Sequence, residues 1–118
     1  MALNASKKIL TGVVAAGAAL LFSASAFADV DAVAAQKLAR KDHCLRCHAV
    51  DRKKEGPTYQ SIAYKYKDQP EAAEKLYQHI TSGKDRVKLS DGHEEDHKSD
   101  HKTSEADLRN LIAWILAQ

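Results

Sequence analysis

The sequence has few of the residues that crosslink or interrupt a small protein. Its 118 residues include two cysteines, two prolines, five glycines, one tryptophan and one methionine, Met1. Two cysteines separated by only two residues exclude a disulfide framework, because a bridge across so short a loop stabilises little. No segment alternates apolar and polar residues in the manner of a strand. The sequence therefore predicts one small all-α domain.

The sequence also lacks an apolar run long enough to cross a membrane, which takes about 20 residues. Its uncharged apolar stretch, residues 9–22, follows two lysines and is followed by an A-F-A sequence that ends at Ala28. A positive start, a short apolar stretch and an A-x-A ending are typical of a cleaved secretory signal. We therefore expect removal of residues 1–28, which leaves residues 29–118 as one domain.

The expected mature chain has no excess charge of either sign. Its 90 residues contain 16 Lys and Arg against 16 Asp and Glu. Zero net charge gives no reason to expect a nucleic acid as partner. Domains of this size often depend on a metal or cofactor, because their core is thin.

Both cysteines belong to a C-x-x-C-H sequence, Cys44 to His48. This pattern is typical of haem c attachment, in which two thiols add to the porphyrin vinyl groups and the histidine binds the iron. Structural zinc would need four ligands, usually with a second cysteine pair, and a thioredoxin-like site would need strands. Cys44, Cys47 and His48 are therefore predicted to hold one covalent haem c.

Four helical segments are predicted around this motif. Pro70 suits the first turn of the third helix, and Gly83 suits its end. Ser104, with Asp107 three residues later, resembles a capping box before the last helix. Residues 84–102 are expected to form a polar loop. The predicted helices cover residues 31–46, 59–66, 70–83 and 104–117.

Residues 44–66 resemble the small bacterial class I cytochromes c, and so do residues 107–118, with Trp114 in the place of the family's helix-end aromatic residue. The resemblance implies a class I cytochrome c fold, with about four helices wrapped around one haem. It also implies that the first and last helices cross, so that Leu38 and nearby alanines pack against Leu111, Trp114 and Ile115.

The same resemblance gives Pro57 a role beside the haem. Its backbone carbonyl would accept a hydrogen bond from the ring of His48, which fixes the ring and raises its basicity. Gly56-Pro57 also reads as an ordinary turn, and both interpretations can hold together.

The family's usual sixth iron ligand is a methionine, and the expected mature chain has none. Three histidines occupy the loop where that ligand would lie: His93, His97 and His101. In the family the ligand precedes the aromatic residue of the last helix by about 16 to 17 residues, and His97 lies 17 residues before Trp114. Counting forward from Gly83 favours His93 instead. We rank His97 first, His93 second and His101 third.

Other arrangements of these residues are possible. Lys88 and Lys98 are weaker candidates for the sixth ligand. The four-residue spacing of the histidines also suits a helical extension that binds zinc or copper. Without a loop ligand the haem would be five-coordinate and would bind NO, CO or O₂. His43 is expected to point away from the iron, and His79 is expected to have a surface or packing role.

Two axial histidines would leave the iron no position for a substrate. The predicted protein is therefore an electron carrier and not an enzyme, with a lower potential than a His/Met relative. The signal predicts a periplasmic location, and we expect a monomer. Its partners would be a protein donor and a protein acceptor that dock transiently, and no membrane span would remain after signal cleavage. The cations expected around the haem edge are Arg40, Lys41, Arg46, Arg52, Lys53 and Lys54.

Overall fold

The computed structural model describes residues 29–100 and 102–118, which form four α-helices and one two-stranded hairpin. This confirms the predicted all-α class with about four helices. The expected signal, residues 1–28, lies outside the described residues, and so does His101. None of the described helices has the length and apolar character needed to cross a membrane. The elements are α1 (Ala32–Lys41), α2 (Tyr59–Lys65), α3 (Ala72–Thr81), β1 (Arg86–Lys88), β2 (Glu94–Asp96) and α4 (Glu105–Leu116).

Side-chain caps determine where three of the helices begin. Asp31, Thr58 and Ser104 each accept a hydrogen bond from the backbone N–H three residues later, at 2.9, 3.0 and 3.2 Å. Short polar side chains are preferred there because they satisfy amide groups that the helix leaves unpaired. α1 ends before the predicted residue 46, because the chain turns at His43, whose φ is +59°.

The core lies where α1 packs against α4. Ala35 and Ala39 are fully buried, and their small side chains let the two helices approach closely. Asp31 and Asn110 exchange two hydrogen bonds of 2.9 Å at one end of this contact. The expected packing of the first helix on the last is confirmed. The buried cluster contains Ala35, Leu38, Ala39, Tyr59, Leu108, Leu111 and Trp114, with Ile115 at its edge.

The segment predicted as a polar loop contains the hairpin. β1 and β2 are antiparallel, with Arg86 opposite Asp96 and Lys88 opposite Glu94, so opposite charges face each other across the strands. Each strand has three residues and little apolar character, which leaves no alternation to detect. The alternative of a helical extension carrying His93 and His97 is therefore wrong.

Leu108→Ala should lower the free energy of unfolding by about 2–5 kcal/mol, because Leu108 is 4% exposed within the α1–α4 core. Val33→Ala is the matched control on the outer side of α1, where Val33 is 79% exposed, and should change stability by less than about 0.5 kcal/mol. Denaturant unfolding of the haem-loaded protein measures both. Equal losses would contradict the assigned core.

Candidate functional site

The C-x-x-C-H segment forms a compact turn. Cys44–Arg46 is a 3₁₀ helix, and the backbone N–H of His48 donates to the carbonyl of Cys44 at 3.0 Å. Cys44 and Cys47 are partly buried and do not form a disulfide. Burial, with a further contribution from Asp42, raises the pKa of the unmodified Cys44 thiol to about 11. Both sulfur-bearing side chains and His48 line the same cavity.

That cavity is about 850 Å³ in volume and lies between the C-x-x-C-H segment, α3, α4 and the hairpin. Its size is within the range of cofactor sites. Apolar side chains from α3, β1 and α4 form much of its wall: Leu76, Ile80, Val87, Leu111, Ile112 and Ile115.

His48 is held on one side of the cavity by the backbone of Pro57. Its Nδ1 lies 2.6 Å from the Pro57 carbonyl oxygen. Because a carbonyl can only accept, Nδ1 carries the proton and Nε2 is free to bind a metal. Gly56 permits this approach, since a Cβ there would lie 2.6 Å from Cε1 of His48. The ring of Tyr59 stacks on the ring of His48, with centroids 5.5 Å apart.

His97 faces His48 across the cavity. The two ring centroids are 5.9 Å apart, and the ring planes are nearly perpendicular. Imidazoles that bind one metal ion from opposite sides through bonds of about 2 Å have centroids about 6 Å apart. Burial lowers the pKa of His97, and the charges of His79 and His48 add to this effect, so the neutral ring that can bind a metal is favoured.

The loop that carries His97 is hydrogen-bonded to two other segments, the turn after α3 and the residues before Cys44. In the first of these, the N–H of His97 donates to the Asp85 carbonyl at 2.8 Å. Further along, the carboxylate of Asp42 accepts hydrogen bonds from the hydroxyls of Ser99 and Thr103, the latter at 3.0 Å. Asp42 therefore joins the two walls of the cavity.

The structure separates His93, the second-ranked ligand, from this pair. His93 is exposed on the hairpin, does not line the cavity, and has both ring nitrogens against carboxylates, Asp91 at 2.6 Å and Glu95 at 3.1 Å. Lys88 and Lys98 contribute to the cavity wall.

Two residues of the site were not singled out from the sequence. His79, expected at the surface or in packing, lines the cavity and stacks on His97 with centroids 4.3 Å apart. Tyr59 is 2% exposed, and its hydroxyl is buried without a hydrogen-bond partner among the described residues. Burial raises the pKa of Tyr59. The one sequence signal for a place of Tyr59 in the site was its position two residues after Pro57.

These residues fit a haem better than a bare metal ion. In residues 29–100 and 102–118, no group of three His, Cys, Asp or Glu side chains could hold a metal ion. Two facing imidazoles therefore need a cofactor that supplies the other ligands, as a porphyrin does. Buried polar atoms normally have a partner, so the Tyr59 hydroxyl also suits a cofactor with a polar edge.

The chain is similar to known proteins over most of its length. Residues 32–118 match the family model described as cytochrome c. Cytochrome c-552 of Nitrosomonas europaea is 36% identical over 101 residues, which cover 86% of this chain and 88% of that protein.

Solved structures agree in fold. The class 1 cytochrome MtoD from Sideroxydans lithotrophicus ES-1 matches with a TM-score of 0.68 and 46% identity, covering 75% of this chain and 96% of that one. Wild-type Nitrosomonas europaea cytochrome c552 matches with a TM-score of 0.54 and 32% identity, covering 70% of this chain and 96% of that one.

Gly56→Ala should destabilise the haem-loaded protein by about 1–3 kcal/mol, because the added methyl group would overlap the His48 ring. Gly56 does not have a positive φ, so the cost comes from this contact and not from the backbone. Denaturant unfolding followed at the haem absorption band measures the loss. An unchanged midpoint would contradict the close approach of Gly56 to His48.

His93 should titrate with a pKa above its ordinary value of about 6.5, because Glu95 and Asp91 hydrogen-bond to the protonated ring. It then stabilises the fold below its unfolded-state pKa, and this contribution is lost as the pH rises through the folded-state pKa. NMR titration of the haem-loaded protein measures the value.

Glu95→Gln should move the pKa of His93 back toward the ordinary value. Glu94→Gln is the matched control, because Glu94 pairs with Arg86 and not with His93. A His93 that does not titrate between pH 5 and 9, or that shifts equally in both variants, would contradict the assigned pairing.

Proposed function

Given that this chain belongs to the cytochrome c family and carries one covalent haem c, we propose that it transfers single electrons in the bacterial periplasm with the iron held by His48 and His97. The haem, when bound, supplies an iron centre that alternates between Fe(III) and Fe(II). The observation that carries the ligation is the pair of facing imidazoles, with centroids 5.9 Å apart.

Each histidine has a distinct part in this proposal. His48 donates from Nδ1 to the Pro57 carbonyl, which orients its ring and increases its basicity. His97 approaches from the other wall, in a buried environment that favours its neutral form. With both positions taken, no site is left for a substrate, which supports electron transfer without catalysis.

Replacement of the family's methionine by histidine should lower the reduction potential. Methionine is the softer ligand and raises the potential of c-type haems. The protein would then exchange electrons with partners of lower potential than those of a His/Met relative.

Partner docking would use the basic surface beside His48. A cleft of about 310 Å³ there is lined by Arg40, Arg52 and Lys54. The ion-paired arginines of the described part of the chain are Arg46, Arg86 and Arg109. Arg40 and Arg52 have no ion pair among the described residues, so they would attract an acidic redox partner through a small transient contact. The periplasmic location is supported by the signal-like pattern of residues 1–28, and we propose a monomer.

Absorption and EPR spectra of variants test the ligation by His97. The His97→Ala change is made in a His79→Ala background, because the neighbouring imidazole of His79 could otherwise bind the iron in its place. We expect wild type and His79→Ala to be low-spin in both redox states, and the double variant to be high-spin. His93→Ala and His101→Ala in the same background are the matched controls and should stay low-spin.

The variant His97→Met tests the effect on potential. Installing methionine should raise the midpoint potential by on the order of 0.1 V, within the roughly 0.8 V range that axial ligands span.

In the spectroscopic test, a high-spin wild-type protein would point to an open, gas-binding haem. A double variant that stays low-spin with the g values of His79→Ala would mean that His97 is not the ligand, whereas low-spin spectra with new g values would mean that a cavity lysine, Lys88 or Lys98, has replaced it.

A further inference from the structure

His79 is a cavity-lining histidine without a role in electron transfer as proposed above. Its ring lies 4.3 Å from the ring of His97, measured between centroids, and the two planes are inclined by 27°. Its Nδ1 lies 2.6 Å from Oδ2 of Asp85. The ring is therefore stacked on His97 and anchored at the same time.

The two facing imidazoles are restrained by different means. His48 donates from Nδ1 to the Pro57 carbonyl, so rotation of its ring would break a hydrogen bond. The Nδ1 of His97 is buried and has no well-formed hydrogen bond within residues 29–100 and 102–118, where only the backbone of His79 interacts weakly with the ring. A metal-binding histidine normally uses its second nitrogen to fix its orientation. For His97, the stacked ring of His79 is the contact that can take over this task.

Asp85 links the two rings of this stack. Its backbone carbonyl accepts from the N–H of His97 at 2.8 Å, and its carboxylate accepts from the ring of His79. Two residues after His97, the N–H of Ser99 donates to the carbonyl of Ile80 at 2.7 Å. The backbone around His97 is thus hydrogen-bonded to the end of α3 and the turn after it. The side chain of His79 is hydrogen-bonded to the same turn, at Asp85.

A similar stack lies on the opposite wall of the cavity. Tyr59 lies on His48 with ring centroids 5.5 Å apart and planes inclined by 16°. The four rings follow one another in the order Tyr59, His48, His97, His79. Each inner imidazole therefore has an aromatic ring stacked on its face, and of the two only His48 has a well-formed hydrogen bond from its Nδ1 within the described residues.

We propose that His79 is a positioning residue that sets the ring orientation of His97. It thereby slows the replacement of His97 on the iron by ligands from solution. The proposal rests on ligation of the iron by His97. It requires neither iron binding by His79 nor a change in its protonation.

Two measurements on the haem-loaded full chain test this role. The g values of the ferric EPR spectrum depend on the relative orientation of the axial imidazole planes. The rate of imidazole binding to the ferric protein reports how readily the His97 side opens. In His79→Ala we expect shifted g values and binding at least about 10-fold faster, within the 10–100-fold range typical of lost outer-shell contacts.

Further variants separate stacking from simple packing. His79→Phe keeps an aromatic ring but loses the hydrogen bond to Asp85, so it should lie between wild type and His79→Ala in both measurements. His79→Leu fills a similar volume without an aromatic face and should resemble His79→Ala. Asp85→Asn weakens the anchor of His79 and should give an intermediate binding rate. His93→Ala removes an exposed histidine that does not touch His97 and should behave as wild type.

Several results would overturn the proposal. They are wild-type g values and binding rate in His79→Ala, or a His79→Leu protein that matches His79→Phe. If His79→Ala does not fold with haem, the comparison of Phe with Leu decides the question alone. A His79→Ala/His97→Ala protein that stays low-spin with the g values of His79→Ala would instead refute the ligation itself. A high-spin double variant beside an unaffected His79→Ala would refute only the positioning role.

Discussion

The hydrogen bond from His48 to the Pro57 carbonyl is the constraint on which the haem site is built. It fixes which ring nitrogen carries the proton and directs the other toward the cavity. The bond brings the backbone before Pro57 close to the His48 ring. Residue 56 must therefore be a glycine, because a side chain there would overlap the ring. The bond also brings the ring of Tyr59 onto the ring of His48. Tyr59 in turn contacts Trp114 of α4, with ring centroids 5.4 Å apart. One backbone carbonyl thus connects the attachment segment to the core.

The opposite wall is assembled from weaker and more separate contacts. His97 depends on backbone hydrogen bonds to the turn after α3 and on the ring of His79. Asp42 adds a tie between this wall and the cysteine segment by accepting from Ser99 and Thr103. The two sides of the cavity therefore differ in rigidity, and changes in the hairpin can alter the His97 side while His48 stays in place.

Much of the fold and part of the site could be predicted from the sequence, because those features depend on local chemistry. The C-x-x-C-H motif and the Ser104 cap each involve residues close in the chain, and the α1–α4 packing follows from apolar side chains spaced at helical intervals. The hairpin could not be predicted, because its pairing relies on opposed charges across three-residue strands. His79 could not be placed either, since its stacking partner is 18 residues away and lies beyond a turn that only the folded chain defines.

The pair of hydrogen bonds between Asp31 and Asn110 has a consequence for how the chain folds. These residues are 79 positions apart, and their contact closes nearly the whole domain into one loop. Such long-range closure lowers chain entropy before packing contacts can offset the loss. This domain should therefore fold more slowly than helical proteins built from neighbouring contacts. Once the ends have met, the hairpin can open and reclose while α1 and α4 stay together. Amide exchange would then be slowest in α1 and α4 and fastest in the hairpin.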